Sequence, residues 1–440
     1  MHIQIPDAAG RAIEILEEQG YEGYLVGGCV RDAVRGVQPH DWDITTSALP
    51  RETMAAFSGF RIIETGLKHG TVTVLMEGEP LEITTFRQDG DYADHRHPDG
   101  VTFVRDLRAD LIRRDFTMNA MAYCPRTGLV DPFGGREDIE KGILRAVGDP
   151  DSRFDEDALR ILRALRFASR FGYRIEEHTR AAMSRKAHLL VHVSSERILS
   201  ELRQMLVGAH VLEVLLSCPD ILAVPLPEIE GTVGFAQHNR HHIHDVWGHT
   251  AHAVAAVPAD PILRLTMLLH DLGKPLCYSE DGKGEGHFYG HAARSAELAD
   301  RILRRLKCDT FTREEVCRLV AHHDDTLHAD ARTARRLLSR HGYERACRLL
   351  EVRRADLAAH APEFHGELDA LDALRRLLDD LLAQEGRLTL KALAVKGTDL
   401  MELGYAGPAV GKALGALLDA VVDGDCENEK AALLAYVKNL

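Results

Sequence analysis

The sequence predicts an α+β protein in which a small mixed unit of strands and helices is followed by a long all-helical remainder. Within residues 1–145, runs rich in β-branched and aromatic residues lie between glycines and predict strands at YEGYLVGG, HGTVTVLMEGEPLEITTF and GILRAV. From about residue 151 onward, apolar residues recur three and four positions apart, as in ERILSELRQMLVG and LDALRRLLDDLLA, which indicates amphipathic helices.

The composition is that of a folded protein with several domains. The 440 residues are 45% hydrophobic and 28% charged, which excludes wholesale disorder, and at roughly 100–200 residues per domain they indicate two to four domains. The net charge of −14 excludes a simple basic nucleic-acid coat but not a local basic groove. With no apolar run near the ~18 residues of a membrane span, no secretory signal and no CxxC pair, we expect a cytoplasmic protein without a membrane partner.

The first motif is a glycine turn. An apolar run ends in Gly27-Gly28, and a short helical pattern that contains Arg31 follows at once. Glycines there let backbone N–H groups approach a phosphate at a helix N-terminus, and Arg31 could hold the same oxyanions. The alternative is an ordinary turn before a helix.

The second motif is a carboxylate pair. Asp41 and Asp43 lie two residues apart in a β-rich segment, so the strand period places both on one face and Trp42 on the other. Adjacent carboxylates repel unless a cation lies between them, and Mg²⁺ is commonly held by one or two carboxylates plus substrate phosphates. We therefore predict Asp41 and Asp43 as catalytic ligands of Mg²⁺ in a two-metal site. Glu82 is either a third carboxylate of this site or an ion-pair partner of Arg87, and a solvated acidic turn is the alternative for the pair.

The third motif is a set of arginines. In FDEDALRILRALRFASRFGYR they recur at spacings of 3, 3, 4 and 4, which predicts a single helical face composed of Arg160, Arg163, Arg166, Arg170 and Arg174. The acids at 155–157 are expected in the first turn, where the macrodipole favours them. Asp157 can accept from an exocyclic amine while Arg160 donates to a ring acceptor, a combination that suits cytosine and adenine but not uracil or guanine. The alternative is a solvated arginine face that pairs with nearby acids.

Together these motifs resemble class II tRNA nucleotidyltransferases, which comprise the CCA-adding enzymes and the bacterial poly(A) polymerases. The similar segments occur in order over about residues 20–205: VGGCVRD with DWD, RRDFTMNA, DPFGGREDIEKGILRAVGDP, FDEDALRILRALRF and ERILSELRQML. The segment LAVKGTDLMELGYAGPAVGKAL, at 393–414, is similar to the C-terminal part of the same family.

The resemblance implies a β-polymerase-like catalytic head at 1–145, a helical neck at 146–225, an HD-like helical domain at 226–365 and a helical tail at 366–440 that contacts the acceptor arm of tRNA. It implies Mg²⁺ at Asp41 and Asp43. It also implies a set of residues that bind CTP and ATP: Gly28, Arg31 and Arg114 at the triphosphate, and Asp157, Arg160, Arg163 and Arg166 at the base. No obligatory protein partner is evident.

Two features bear on which branch of the family the chain resembles. Residues 87–110 are polar and rich in Gly and Asp, which predicts a long mobile loop, and the resemblance links this loop to the switch from C to A addition. Bacterial poly(A) polymerases usually carry a basic run in this region and a basic C-terminal tail, whereas ITTFRQDGDYADHRHP and DGDCENEKAALLAYVKNL stand here. Both departures favour CCA addition, and an A-adding tRNA nucleotidyltransferase or a poly(A) polymerase is the alternative.

The fourth motif is a series of histidines. Residues 238–252 contain six of them, and LLHDLGKP adds the His270-Asp271 dipeptide. Imidazole and carboxylate ligands together suit Mn, Fe, Ni or Mg better than a thiolate zinc site does. The segment resembles the HD phosphohydrolases, which implies a divalent metal held by His249, His270, Asp271 and Asp356. His291 and His322 would complete a second metal position, and a loop is expected to contain His238, His241, His242 and His244.

The HD resemblance implies hydrolysis of phosphate esters or 2′,3′-cyclic phosphates at damaged RNA 3′ ends. A decayed helical body with vestigial histidines is the alternative for this region. For the whole chain, an HD-type RNA-end phosphohydrolase with an inert head and a non-catalytic RNA-binding module are the rivals of the transferase. The carboxylate pair and the glycine turn are both intact, which favours the transferase.

Overall fold

The computed structural model describes residues 3–64, 66–67, 70–89, 101–385 and 389–438. The chain forms two compact units, residues 1–227 and 228–440. A mixed sheet lies in the first unit and helices dominate the rest, so the predicted fold class is confirmed. The finer division into head, neck, HD-like domain and tail stays a prediction.

The strands of the described residues are β1 Gly23–Val26, β2 Asp43–Thr46, β3 Arg61–Ile63, β4 Thr71–Met76, β5 Glu79–Thr85, β6 Arg87–Asp89, β7 Val101–Phe103, β8 Ala122–Cys124, β9 Gly128–Val130, β10 Ile143–Leu144, β11 Arg174–Ile175, β12 Ser279–Glu280 and β13 Gly286–His287. Within this part of the chain, seven of them form one sheet in the order β3-β4-β5-β2-β1-β8-β9. The pair β2 and β5 is parallel, and the other neighbours in this sheet are antiparallel.

The helices of the first unit are α1 Asp7–Glu18, α2 Gly28–Val34, α3 Pro50–Ala56, α4 Leu107–Ile112, α5 Gly135–Lys141, α6 Pro150–Glu156, α7 Leu159–Phe171, α8 Glu177–Lys186, α9 Ser195–Leu206, α10 Val211–Ser217 and α11 Pro219–Leu222. Those of the second unit are α12 Val246–Ala256, α13 Pro261–Leu269, α14 His291–Arg305, α15 Thr310–Ala321, α16 Ala331–Ala358, α17 Leu368–Glu385, α18 Gly397–Glu402, α19 Pro408–Asp423 and α20 Lys430–Val437. None of these described helices is both long and apolar enough to cross a lipid bilayer.

A small core holds the central sheet against α4. Val26 of β1, Ala122 of β8, Phe86, and Leu107 and Leu111 of α4 are buried together. Leu107 and Leu111 are four residues apart and therefore lie on one face of the helix. The packing of these two residues therefore fixes α4 against β1 and β8.

The predicted arginine helix is interrupted at its start and ends early. Helix α6 finishes at Glu156, Asp157 has extended backbone (φ −142°, ψ 101°), and α7 begins at Leu159, whose backbone N–H donates to the Asp157 carboxylate at 3.1 Å. The acids at 155 and 156 therefore end one helix instead of beginning the next. At the other end Gly172 adopts φ 70°, which stops α7, so Arg174 lies in β11 and not on the helical face.

The segment at 87–110 is only partly a loop. Its flanks are regular, because β6 pairs with β7 and α4 follows. Asp106 caps α4 by accepting from the backbone N–H of Arg108. Residues 90–100, on which the prediction of mobility chiefly rested, lie outside the described residues.

Candidate functional site

The glycine turn lies directly between β1 and α2. Gly27 adopts φ 74°, a conformation that side-chain-bearing residues rarely adopt, and a Cβ there would come within 3.1 Å of Arg114 Nη1. Arg31, on α2, is buried and donates to both carboxylate oxygens of Asp32 at 2.9 and 3.0 Å. The turn and both predicted arginines are thus brought together.

The carboxylates lie at the start of β2. Asp41 and Asp43 are exposed while Trp42 and Ile44 are buried, so the predicted alternation holds although the strand itself begins at Asp43. Glu82 of β5 is in register with Asp43 on the adjacent parallel strand. Desolvation and the nearby charges of Glu82 and Asp41 raise the pKa of Asp43, and Arg114 partly offsets them.

One cavity of about 480 Å³ collects most of the predicted residues. Among the described residues its wall comprises Gly27, Gly28, Arg31, Asp43, Arg113, Arg114, Asp115, Asn119, Asp157, Arg160, Arg163, Arg166, Phe167, Arg170 and Arg197. Asp41, just outside the strand, is the one predicted nucleotide-site residue that does not line it. Arg114 Nε is buried and has no hydrogen-bond partner among the residues that the structure describes. A buried donor of this kind is expected where an anion binds.

Asp115 anchors one wall of the cavity. Its carboxylate accepts from Arg163 Nε and Nη2 at 2.9 and 2.7 Å and from Asn119 Nδ2 at 3.0 Å. The Asn119 side-chain oxygen in turn accepts from Arg31 Nη1 at 2.9 Å. Burial alone would raise the pKa of Asp115, but Arg163 and Asn119 lower it to about 2. Asp115, for which the sequence analysis predicts no role, therefore links Arg31 of the glycine turn to Arg163 of α7.

The two predicted base-reading residues are held separately. The second carboxylate oxygen of Asp157 accepts from Arg197 Nη2 at 2.8 Å. Arg160 donates to Glu156 at 2.6 Å and to the backbone oxygens of Arg153 and Arg113 at 3.0 and 2.8 Å. Both side chains therefore have fixed orientations at the cavity wall.

The last predicted cavity arginine is also fixed by its neighbours. Arg166 lies 2.9 Å from Glu201 and donates to Gln204 at 2.8 Å, and its guanidinium covers the Phe167 ring at 4.4 Å. These contacts keep a positive charge at the wall while an aromatic face lies beside it.

A second cluster lies in the second unit and is fully buried at its centre. His249 of α12 and His270 at the end of α13 approach each other at 3.4 Å between their Nε2 atoms. Asp356 of α16 lies 3.0 Å from His249 Nε2, and Asp271 lies 3.2 Å from His270 Nε2. All four predicted ligands of the H…HD…D pattern are thus brought together. Burial alone would lower the pKa of His270, but Asp271 and Asp356 raise it to about 9.

The structure places one of the two histidines predicted for the second metal position beside Asp271 and turns the other away. His291 Nε2 lies 3.5 Å from Asp271, as expected, but the other ring near Asp271 belongs to His323, at 3.7 Å. His322 turns outward and its Nδ1 lies 2.9 Å from Asp325. Helix α15 ends at Ala321, so helical periodicity does not decide which of the two neighbouring histidines points inward.

Sequence reasoning also missed three residues at this cluster. His242, for which the sequence predicts only a loop position, lies with His249 and His360 in a group whose ligand atoms are all within 4.8 Å of one another. Lys274 Nζ lies 2.7 Å from Asp271 and 3.2 Å from His242 Nε2. The spacing HDLGK, which puts Lys274 one turn after Asp271, was the available signal.

Three family models match the chain. The poly A polymerase head domain matches residues 23–145, the probable RNA and SrmB-binding site of polymerase A matches 172–229, and the putative tRNA nucleotidyltransferase domain 2 matches 290–437. Together with the arginine-lined cavity beside Asp43, these matches define a nucleotidyltransferase with a poly(A) polymerase-type head.

Relatives narrow this class. The CCA-adding enzyme of Geobacillus kaustophilus is 37% identical over 428 residues, 97% of this chain and 95% of that protein. The CCA-adding enzyme of Geobacillus thermodenitrificans is 52% identical over 203 residues, 46% of this chain and 50% of that protein. The crystal structure of the Bacillus stearothermophilus CCA-adding enzyme in complex with CTP superimposes with a TM-score of 0.75 at 33% identity and covers 99% of this chain and 98% of that one. The chain belongs to the CCA-adding enzyme family.

Proposed function

We propose that the first unit adds C, C and A to the 3′ end of tRNA from CTP and ATP. The observation that carries this proposal is the cavity in which the glycine turn, Asp43 and a wall of arginines meet. Guanidinium groups suit phosphate oxygens because they donate in a planar fork, and Arg114 Nε offers an unmet buried donor. The cytoplasm is the expected location of this reaction.

In this proposal, Asp41 and Asp43 hold Mg²⁺, and Glu82 is within reach as a third carboxylate. The crowding that raises the pKa of Asp43 is what a cation would relieve, so the residues fit the ion. Bound Mg²⁺ would neutralise the triphosphate and increase the acidity of the tRNA 3′ hydroxyl. That hydroxyl attacks the α-phosphate, a new phosphodiester bond forms, and pyrophosphate leaves toward Arg31 and Arg114.

Base choice falls to Asp157 and Arg160. Both line the cavity, where an aspartate accepts from the exocyclic amine of C or A and an arginine donates to the ring acceptor beside it. Arg163 and Arg166 lie next on the same helix and complete the wall. Arg197, which holds Asp157 now, fixes the direction in which that carboxylate accepts. The helical remainder would hold the acceptor arm of tRNA by backbone and shape.

Labelled nucleotides test this function. Transfer RNA that lacks its 3′ end is incubated with each nucleotide in turn, with the wild-type chain and with Asp41→Ala. We expect incorporation of C and A by the wild type and none by the variant. Incorporation of A alone would identify an A-adding partner enzyme or a poly(A) polymerase, and incorporation that survives in Asp41→Ala would exclude the assigned carboxylates.

We propose a metal-dependent phosphohydrolase as a second function, located in the second unit. It is favoured by the burial of His249, His270, Asp271 and Asp356 at mutual distances that suit one cation, with His291 and His323 beside a second position. Carboxylate and imidazole ligands fit Mn, Ni, Fe or Mg, and such an ion would supply Lewis acidity for hydrolysis of a phosphate ester. Lys274 and Arg353, which line the adjoining cavity of about 470 Å³, would attract the anionic substrate.

His270→Ala tests the second function. We expect loss of bound Mn²⁺ and of metal-dependent phosphatase activity, with nucleotide addition unchanged. Loss of both activities would instead mean that the histidines are structural and that the second site is not catalytic.

A further inference from the structure

Asp110 is a fully buried carboxylate next to the nucleotide cavity but not part of its wall. It lies in α4, three residues after Leu107 and directly before Leu111, and none of its surface is exposed. A buried carboxylate is costly unless cations and hydrogen bonds compensate it. The groups that contact Asp110 therefore indicate which side chains this carboxylate positions.

Two arginines of the cavity wall end on this carboxylate. Arg113 contributes Nε and Nη2 to Oδ1 at 3.0 and 2.9 Å, and Arg114 contributes Nη2 to Oδ2 at 3.3 Å. Burial alone would raise the pKa of Asp110, but these two arginines lower it, so the carboxylate is ionised. Adjacent guanidinium groups repel, and one shared carboxylate between them removes that repulsion.

The same carboxylate contacts two strands. Thr45 Oγ1, on β2 two residues after Asp43, lies 3.4 Å from Oδ2 and 3.1 Å from the Thr84 backbone oxygen, and the backbone N–H of Arg87, at the start of β6, donates to Oδ1 at 3.4 Å. Asp110 thus connects the strand of the proposed metal ligands to the arginines that face them.

The position of Arg114 shows the consequence. Its Nη1 lies 3.1 Å from the place that a Cβ of residue 27 would occupy, and Arg114 lines the same cavity as Gly27 and Asp43. Arg114 therefore lies between the glycine turn and the carboxylates, where a triphosphate would be bound. Its only ion pair among the described residues is with Asp110.

We propose that Asp110 is a positioning residue for nucleotide binding, which holds Arg113 and Arg114 in register with β2 so that their donors meet the triphosphate. The proposal rests on the assignment of this cavity to CTP and ATP. Since triphosphate contacts do not depend on the base, the effect of Asp110 must be equal for both nucleotides and absent for tRNA.

Calorimetric titration of the full chain with CTP and Mg²⁺, together with KM values for CTP, ATP and tRNA, tests the proposal in Asp110→Asn. We expect binding and KM for both nucleotides to weaken by about 10-fold, the loss of one charge-assisted contact, with an unchanged KM for tRNA. Asp106→Asn, which removes an exposed carboxylate from the cap of the same helix, is the matched control and should match the wild type.

A double-mutant cycle shows whether Asp110 acts through Arg114. If it does, Asp110→Asn should weaken CTP binding far less in an Arg114→Met background than in the wild type. Additive losses, an equal rise in KM for tRNA, or unchanged CTP binding in Asp110→Asn would each overturn the proposal. Should Asp110→Asn fail to fold, Thr45→Val removes the hydroxyl beside the same oxygen and should raise both nucleotide KM values about 2- to 3-fold, whereas unchanged values would overturn the proposal.

CTP binding by the wild-type chain distinguishes a failure of the proposed nucleotide site from a failure of the role proposed for Asp110. If the wild type does not bind CTP, the assignment of the cavity fails. If the wild type binds CTP and Asp110→Asn binds it equally well, the assignment survives and only the role of Asp110 is lost.

Discussion

The two candidate sites are opposite in what they offer a ligand. In the first unit, eight arginines and three aspartates line the described wall of the cavity, so the site presents cations and requires an anion. In the second unit, buried imidazoles lie close to the Asp271 carboxylate, a set of donor atoms that would suit a cation. Arginines are typical of sites that bind phosphate groups, and buried imidazoles with carboxylates are typical of sites that bind a metal ion.

The comparison also shows how each site is held together by its own residues. Asp115 and Asp110 partly balance the arginines of the first cavity, and Lys274 places an ammonium group against Asp271 in the second. A buried charge without a partner is strongly destabilising, so these counter-charges let both sites keep their geometry. Because each site contains its own counter-charges, a substitution in one site can be tested without altering the charges of the other.

The largest expected effect is a loss of nucleotide addition that leaves metal binding by the second unit intact. Asp43→Asn should lower nucleotide addition on the order of 10³-fold or more, because it removes a proposed Mg²⁺ ligand, and should leave Mn²⁺ binding by the second unit unchanged. Rates of labelled CTP incorporation and calorimetric Mn²⁺ titration measure the two effects. Glu79→Gln, an exposed carboxylate at the start of β5, serves as the control. Loss of Mn²⁺ binding in Asp43→Asn would mean that the sites are not independent.

A smaller effect should distinguish two neighbouring histidines. His323→Ala should weaken Mn²⁺ binding by about 10- to 100-fold because its ring faces Asp271, whereas His322→Ala should change it less than about 2-fold. Titration of each variant with Mn²⁺ provides the measurement. The reverse order would restore the original prediction that His322 is the ligand.

The smallest effect concerns stability and pH. The native pKa of Asp115, about 2, is below its ordinary 3.8, so its ion pair with Arg163 stabilises the fold above pH 4 and loses this contribution as the pH falls toward 2. Asp115→Asn should reduce the free energy of unfolding by about 2 kcal/mol near neutral pH, and the difference from wild type should shrink below pH 4.

Urea unfolding at a series of pH values measures this difference. Asp155→Asn, which removes the charge from a half-buried ion pair with Lys186, should change stability by no more than about 0.5 kcal/mol. A difference for Asp115→Asn that does not depend on pH would show that the carboxylate charge is not the cause.

The sequence was most informative where spacing alone brings residues together. The alternation of Asp41, Trp42 and Asp43 predicted that the two carboxylates lie on one face of the strand and Trp42 on the other. The HD dipeptide and the residues of its pattern were predicted to lie together, and the structure places them so. The strands of the mixed sheet followed from runs of β-branched and aromatic residues between glycines, and the helical remainder followed from apolar residues three and four positions apart.

What the sequence did not reveal depends on distant partners or on helix ends. Asp115 was visible in RRDFTMNA, but its partner Arg163 is 48 residues away, and no local pattern connects them. The break at Asp157 depends on its side chain capping α7, which competes with a helical pattern that looks continuous. His323 lies beyond the last turn of α15, where the phase of the helix no longer determines direction.

The only two tryptophans of the sequence divide between these regions. Trp42 is buried between Asp41 and Asp43, and Trp247 is buried on α12 two residues before His249. Intrinsic fluorescence therefore contains one emitter beside each site. A Trp247→Phe chain would report optically on events at the amino-terminal carboxylates alone, and a Trp42→Phe chain on those at the histidines, without any attached dye.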